Sequence, residues 1–376
     1  MAALEETIYT LLKSGWEKKF FAGAAAGITG NVSGMREKTI VSCGDASLVP
    51  ATIAMNKAAF FDLASLSKPL ATTLAVLCLM KEKKISMDQP LSSLIQRKTD
   101  KKITLQDLLG HASGLPAHRE YYKELVSYPH AARKDIVTEW ILKEELQFKT
   151  GSRTLYSDLG YILLGRIVEI HSRQSLDRFV ADKVMKPLGL ENTLFYIPLN
   201  DTNNRERTPD KLFVATEQCS WRHKVLCGEV HDDNCHALGG VGGHAGLFGN
   251  IQSVLKLTTF ILDMCLGDAV HPNIDNDDLR RCLTRQKKGG GNSWGLGFDT
   301  PSEKGSSGGR YLSATSAGHL GFTGTSFWID KEKKLVMVLL TNRVHPKRDN
   351  EGIKDFRPLF HDKVVEWYVR EQNTLS

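Results

Sequence analysis

The chain has 376 residues, 41% of them hydrophobic, and a formal net charge of +6. This is enough apolar content for one large fold with an insertion, or for two or three average domains. Charges of both signs are interspersed and no basic tract carries interleaved aromatics, so a nucleic-acid partner is not expected and the small excess aids solubility.

In chain order, Met1–Lys19 places Leu4, Ile8, Leu11 and Leu12 at helical spacing among charged residues. That pattern is an amphipathic surface helix rather than a secretory leader. The apolar run Phe20–Ile28 is too short to cross a bilayer, and no membrane partner is expected. Phe20–Thr29 and Lys38–Cys43 are small or β-branched segments around Gly30-Asn31-Val32-Ser33-Gly34, which reads as a hairpin.

Next, from Leu70 to Met80 only Thr72 and Thr73 are polar, so a helix here is buried nearly all round. Pro69 is tolerated only in a first turn, which puts the helix start near Ser65 or Leu66. Ser65 then sits at the positive end of a buried helix with Lys68 three residues on, a hydroxyl beside an amine. About one Ser-x-x-Lys arises by chance in a chain this long. Ser253-Val-Leu-Lys256 is a second match, and a plain N-cap is the competing reading of Ser65.

Thr104 caps a short helix that Gly110 and Gly114 end, and residues 120–145 and 157–185 are helical by pattern. The stretch 200–250 reads as loops around short elements. Residues 287–309 read as a mobile surface loop, because Gly289-Gly290-Gly291 lacks the context of a phosphate loop. Gly318–Asp330 and Leu335–Thr341 are strand-like, and Phe356–Val369 is a closing amphipathic helix. The expected fold is α/β (α+β): an antiparallel sheet built from both termini and flanked by helices, with a mostly helical inserted region. The expected division is 1–82 with 290–376 for the sheet domain and 83–289 for the insertion.

Two further stretches carry chemistry. Tyr156-Ser157-Asp158 leads from Thr150-Gly151 into an apolar helix; Asp158 can cap that helix, or Tyr156 can face Ser65 and Lys68 and pass a proton. Gly318-His319-Leu320-Gly321-Phe322 is a strand whose glycines allow close backbone approach, so its edge can lend an amide to an oxyanion.

With these three pieces in order, the chain resembles the serine β-lactamase-like superfamily, in the branch of class C β-lactamases, D-alanyl-D-alanine carboxypeptidases and related esterases. Ser65-Leu66-Ser67-Lys68 matches the first motif, Tyr156-Ser157-Asp158 stands for Tyr-x-Asn, and His319-Leu320-Gly321 for Lys-Thr-Gly or His-x-Gly. Residues 103–115 and Gly243-His244-Ala245-Gly246-Leu247-Phe248 support the likeness, which covers roughly residues 20–345. It also favours Ser65 over Ser253. The resemblance implies that Ser65 attacks a carbonyl while Lys68 and Tyr156 share the role of general base. The backbone N–H groups of Ser65 and Phe322 hold the oxyanion, with Gly321 in the same strand. Asp158 orients Lys68 or a substrate amide, and His319 faces the substrate carboxylate or leaving group.

Two departures matter. Asp158 brings a charge where the family presents a neutral amide, and His319 weakens a fixed positive charge at neutral pH. Both argue against efficient β-lactam turnover. The expected activity is a serine hydrolase working through an acyl-enzyme on small amides or esters, foremost D-amino-acid peptides derived from cell walls. The alternatives are a carboxylesterase on short esters, a weak β-lactamase, or a non-catalytic penicillin-binding or sensor module.

Cys219, His223, Cys227, His231 and Cys235 recur at intervals of four before His236, residue types that suit zinc. The paired Cys-x-x-Cys spacing of structural zinc sites is missing, so neither a metal nor another cofactor is expected. Seven cysteines, an odd number, do not resemble a secreted disulfide framework, and a cytoplasmic location is the expectation.

Overall fold

In the computed structural model, residues 2–32, 35–199, 211–286 and 293–375 are described. Helix α1 (Ala2–Glu17) precedes strands β1 (Gly23–Val32), β2 (Met35–Ser47), β3 (Ile53–Ala54) and β4 (Phe60–Asp62). Helix α2 (Leu74–Lys81) opens the helical middle, followed by α3 (Leu105–Leu109), α4 (His130–Lys143) and α5 (Asp158–Ser172). Strands β5 (Leu194–Tyr196) and β6 (Leu247–Asn250) lead to α6 (Ile251–Leu266). The chain closes with β7 (Ala317–Leu320), β8 (Ser326–Asp330), β9 (Leu335–Thr341) and α7 (Ile353–Leu375).

The six-stranded antiparallel sheet runs β3-β2-β1-β9-β8-β7, so strands from the two ends of the chain meet at its centre. There Ala25 pairs with Leu340 and Ile28 with Met337. Period-2 alternation decides which layer each side chain joins. On β9, Val336, Val338 and Leu340 enter the main core, while Leu335, Met337 and Leu339 enter a second core on the opposite face. On β8, Phe327 and Ile329 go one way and Trp328 the other. The second core is closed by Leu4, Ile8 and Leu12 of α1 and by Phe356, Phe360 and Val364 of α7. Each of these helices therefore buries one apolar stripe, as the spacing in the sequence requires.

The expected hairpin is β1–β2, paired from Gly23 with Gly44 to Val32 with Met35; residues 33 and 34 of its turn lie outside the described residues. Packing does not break where the helical insertion was expected to end. Helix α6, within 83–289, lies on the sheet, and a Cβ on Gly27 would be 3.1 Å from Leu255 Cδ2. One core runs from Ala25 through Leu340 and includes most of the helical middle. A smaller sheet, β4-β6-β5, ties the segment before Ser65 to that middle. Thr104 does cap α3, in a reciprocal box with Asp107. At α5 the cap is Ser157, whose hydroxyl accepts from the Gly160 amide, and this frees Asp158 for other work.

Candidate active site

The segment before Ser65 is pinned rather than simply helical. Ala64 has φ of +47°, a conformation that side-chain-bearing residues seldom adopt. Its amide donates to Asp62 Oδ1 at 2.8 Å, and Asp62 Oδ2 accepts from the His231 amide at 2.6 Å. Burial pushes the Asp62 carboxyl up, against those two amides. After a 3₁₀ turn at Ala64–Leu66, Lys68–Thr73 forms a wide π-type turn with Pro69 near its start, and only then does α2 begin. The expected continuous helix from Ser65 is thus three consecutive pieces. Wide turns of this kind are frequent at functional sites.

Lys68 is fully buried, while Ser65 is partly open to a cavity of about 630 Å³. The Lys68 amine lies 2.9 Å from Ser65 Oγ, 2.8 Å from Asp158 Oδ1 and 3.0 Å from the His244 carbonyl. Three oxygens around one nitrogen match the three protons of an ammonium. Burial pulls the Lys68 proton affinity down, but the charges of Asp158 and Tyr156 overrule it and the net direction is up. Asp158 moves the other way: burial raises it, Lys68 and His118 lower it, and it ends well below the usual carboxylate range. The Lys68 nitrogen also sits 4.7 Å from the centroid of the Tyr156 ring. Burial raises the Tyr156 phenol, and the hydrogen-bonding influence of Lys68 and Ser65 offsets this only in part.

The third expected piece is in place as well. Strand β7 ends beside this group, with the His319 ring 5.8 Å from that of Tyr156. The turn after it is sewn to the Ser65 segment: Thr323 Oγ1 donates to the Asp62 carbonyl at 2.8 Å and Thr325 Oγ1 to the Leu63 carbonyl at 3.2 Å. Gly321 fits because it lacks a side chain. A Cβ there would lie 2.8 Å from the Leu63 carbonyl and closer still to the Thr325 hydroxyl. Gly321→Ala is therefore expected to push the turn off the Ser65 segment and cut turnover by about 10²-fold, as misplacement by an ångström does. Steady-state kinetics beside an unchanged far-UV spectrum would check it.

The weakening of positive charge expected at position 319 goes further here. His319 is buried, its Nδ1 lies 2.7 Å from the Leu320 carbonyl and its Nε2 has no partner. A carbonyl only accepts, so Nδ1 carries the proton. Burial and the nearby Lys68 charge pull this histidine down to about 3, so it is neutral and offers no cation to a substrate carboxylate. The cations on the cavity wall are Arg343, Arg348, Lys354 and Arg357.

The remainder of the site comes from residues to which the sequence assigned no role, His244 of the 243–248 stretch among them. His118 lies 3.4 Å from Asp158 Oδ2 and is raised by that hydrogen bond. His244, whose carbonyl holds Lys68, is steadied by Asp232, 2.9 Å from its Nε2. Trp294 and Asp299 also line the cavity, and burial lifts Asp299 to about 6. They belong to the stretch expected to be a surface loop. Residues 287–292 of it lie outside the described residues, but Leu296 and Phe298 are fully buried and Asp299 bridges to Gly318.

The Cys/His series disperses. His231 lies 3.1 Å from Glu217 and stacks on Phe322, the Cys235 thiol meets the Ala245 carbonyl, and Cys227 is exposed. Among the described residues no group of three His, Cys, Asp or Glu is placed to hold a metal ion. Ser253 is structural: its hydroxyl lies 2.9 Å from the Thr193 and Asn250 carbonyls at the start of α6.

Comparison with known proteins supplies a family. Residues 11–359 match the beta-lactamase family. The chain belongs to that family. Over 305 residues it is 31% identical to a putative D-alanyl-D-alanine carboxypeptidase of Escherichia coli K12, covering 76% of this chain and 69% of that protein. Over 316 residues it is 31% identical to an N-acetylmuramyl-L-alanine amidase of Bacillus subtilis 168, covering 77% and 69%. Among solved structures, simvastatin synthase from Aspergillus terreus superposes with a TM-score of 0.70 at 17% identity, covering 98% of each chain. The hydrolase EstCE1 gives 0.69 at 17%, covering 95% of this chain and 99% of that one. These two show the shared fold. As a beta-lactamase-family protein the chain is a hydrolase of the β-lactamase and carboxypeptidase type, and among its described residues no helix is long and apolar enough to cross a membrane.

Proposed function

We propose that this beta-lactamase-family protein is a serine hydrolase that forms an acyl-enzyme on Ser65 and acts on short peptides ending in D-amino acids. The observation that carries the reading is the 2.9 Å approach of the Lys68 amine to a Ser65 hydroxyl that borders a cavity. The reacting form is the one in which the Lys68–Tyr156 pair has released one proton; Ser65 Oγ then bonds to the substrate carbonyl carbon as its own proton passes to that pair. The carbonyl π pair moves onto oxygen, where the amides of Ser65 and Phe322 receive the charge. Collapse expels the leaving amine, which takes the proton, and water then releases the acyl group.

Size and charge favour a small peptide. About 630 Å³ is the scale of a pocket for a small ligand. Its walls carry both signs, Asp232 and Asp299 with Arg343, Arg348 and Lys354, which suits a zwitterion. The relative named a putative D-alanyl-D-alanine carboxypeptidase supports the D-amino-acid choice, while the other is named for an N-acetylmuramyl-L-alanine amide. A second reading, a carboxylesterase on short esters, draws on the neutrality of His319. The non-catalytic and weak β-lactamase readings lack such an observation.

A four-substrate panel tests the proposal: an acyl-D-Ala-D-Ala peptide, its L,L isomer, a short p-nitrophenyl ester and nitrocefin. Release of D-alanine is expected to have the highest kcat/KM. Turnover of the ester alone would select the esterase, and equal rates on the two isomers would remove the D-specificity.

A further inference from the structure

Arg357 of α7 is a buried cation without a buried counter-charge. Only 7% of it is exposed, on the cavity wall. Its Nη2 donates to the Gly321 carbonyl at 2.7 Å and to the Thr325 carbonyl at 2.9 Å, and its Nε has no partner among the described residues. Burial and the neighbouring Arg343 lower it to about 9, still a cation at neutral pH, and among the described residues no carboxylate offsets that shift. Leaving a guanidinium unpaired in a protein interior is costly, so its position calls for an explanation.

The carbonyl it binds supplies one. Gly321 C=O and Phe322 N–H belong to the same peptide unit, and a trans peptide points them in opposite directions. A cation on the carbonyl withdraws electron density from the amide and strengthens it as a donor, and charge-assisted bonds are about twice as strong as neutral ones. Arg343 holds the next carbonyl, donating from Nε to Phe322 O at 2.7 Å, with its guanidinium 4.4 Å from the Phe322 ring centroid. Turn 321–325 is thus held from behind by two guanidiniums and in front by Thr323 and Thr325.

We infer that Arg357 is a positioning residue that orients and polarises the Phe322 amide for the oxyanion. The inference rests on the acyl-enzyme reading above and adds to it the group that pre-sets one oxyanion donor. Electrostatic assistance of this kind requires dipoles fixed before charge develops, and one Nη2 bonded to two carbonyls ties the Gly321 peptide to the far side of its turn.

The test uses an uncharged substrate, p-nitrophenyl acetate, so that attraction of a substrate anion plays no part. For Arg357→Met, kcat is expected to fall about 10- to 100-fold, the worth of a hydrogen bond to a charged group, with KM within about twofold. Affinity for a small boronic acid, whose tetrahedral adduct presents an oxyanion, should fall in parallel. Arg357→Lys should recover part of both. Unchanged kcat in folded Arg357→Met overturns the inference. So does a loss confined to the KM of carboxylate-bearing substrates, which would make Arg357 an anion-binding group instead. Should the Met variant fail to fold, as judged by near-UV circular dichroism, Arg357→Lys decides alone: wild-type kcat and boronate affinity would overturn the inference. Fluorophosphonate labelling of the wild type separates the two claims. Unlabelled wild type removes the acyl-enzyme reading, whereas labelled wild type with an insensitive Arg357→Met removes only this inference.

Discussion

Ser65→Ala is expected to abolish covalent labelling by a fluorophosphonate and to lower turnover by about 10⁴-fold or more, the scale seen when an acyl-transfer nucleophile is removed. Removing one hydroxyl from a partly exposed side chain should leave stability nearly unchanged. The Ala64 backbone that presents the residue is held by Asp62, not by the Ser65 side chain. Ser253→Ala serves as the control, since that hydroxyl is occupied at the head of α6 and should not affect labelling. Intact-mass measurement after labelling checks both. Persistent labelling of Ser65→Ala would end the serine-hydrolase reading.

Lys68→Met is expected to cost activity and stability together, and for different reasons. Turnover should fall about 10²- to 10⁴-fold, the usual contribution of a positioned proton carrier. Stability should fall by about 3–5 kcal/mol, because Asp158 is left charged and unpaired. That figure is an upper estimate, since the Asp158 side chain retains 18% exposure and His118 stands beside it. Adding Asp158→Asn should restore most of the stability and none of the turnover; urea melts and kinetics on the same preparations would show the split. Restored activity in the double variant would take the base role away from Lys68.

The pair also sets a pH window. Lys68 is raised on folding, so its contribution is present below the free-amine value and is lost as pH rises through the folded one. Asp158 is lowered, so its contribution is present above the free-carboxyl value and fades as pH falls through the folded one. Between about pH 4 and 10 the ion pair stabilises fully. The same clamp keeps Lys68 protonated and therefore poor as a base. Asp158→Asn removes the charge that raises Lys68, and the alkaline rise of kcat/KM is expected to move to lower pH. A pH–rate profile with an unshifted limb would assign that limb to another group.

Residues with a chemical signature close in sequence were legible: the Ser65–Lys68 spacing, the Tyr156 loop, and Gly318 and Gly321 at the end of β7. The period-2 runs at both ends were enough for the sheet. What stayed hidden has a common cause. Lys68 is held by the His244 carbonyl, 176 residues away, and every residue has a carbonyl. Asp232, His118 and Trp294 acquire roles only through the proximity that folding creates. The full loss of charge at His319 was hidden for a related reason. Its charge depends on burial beneath Tyr156 and Trp294, which no neighbour in sequence reveals.

Helix α7 covers the second core and also carries Arg357 to the turn behind Phe322. Because one element does both, closing the second core and seating that cation on the turn are a single event. A ribosome-bound fragment ending before residue 353 holds Ser65, Lys68 and Tyr156 yet lacks both the lid of that core and the cation at the turn. On the proposed reading, a cut within α7 would loosen the turn at Phe322 without touching Ser65.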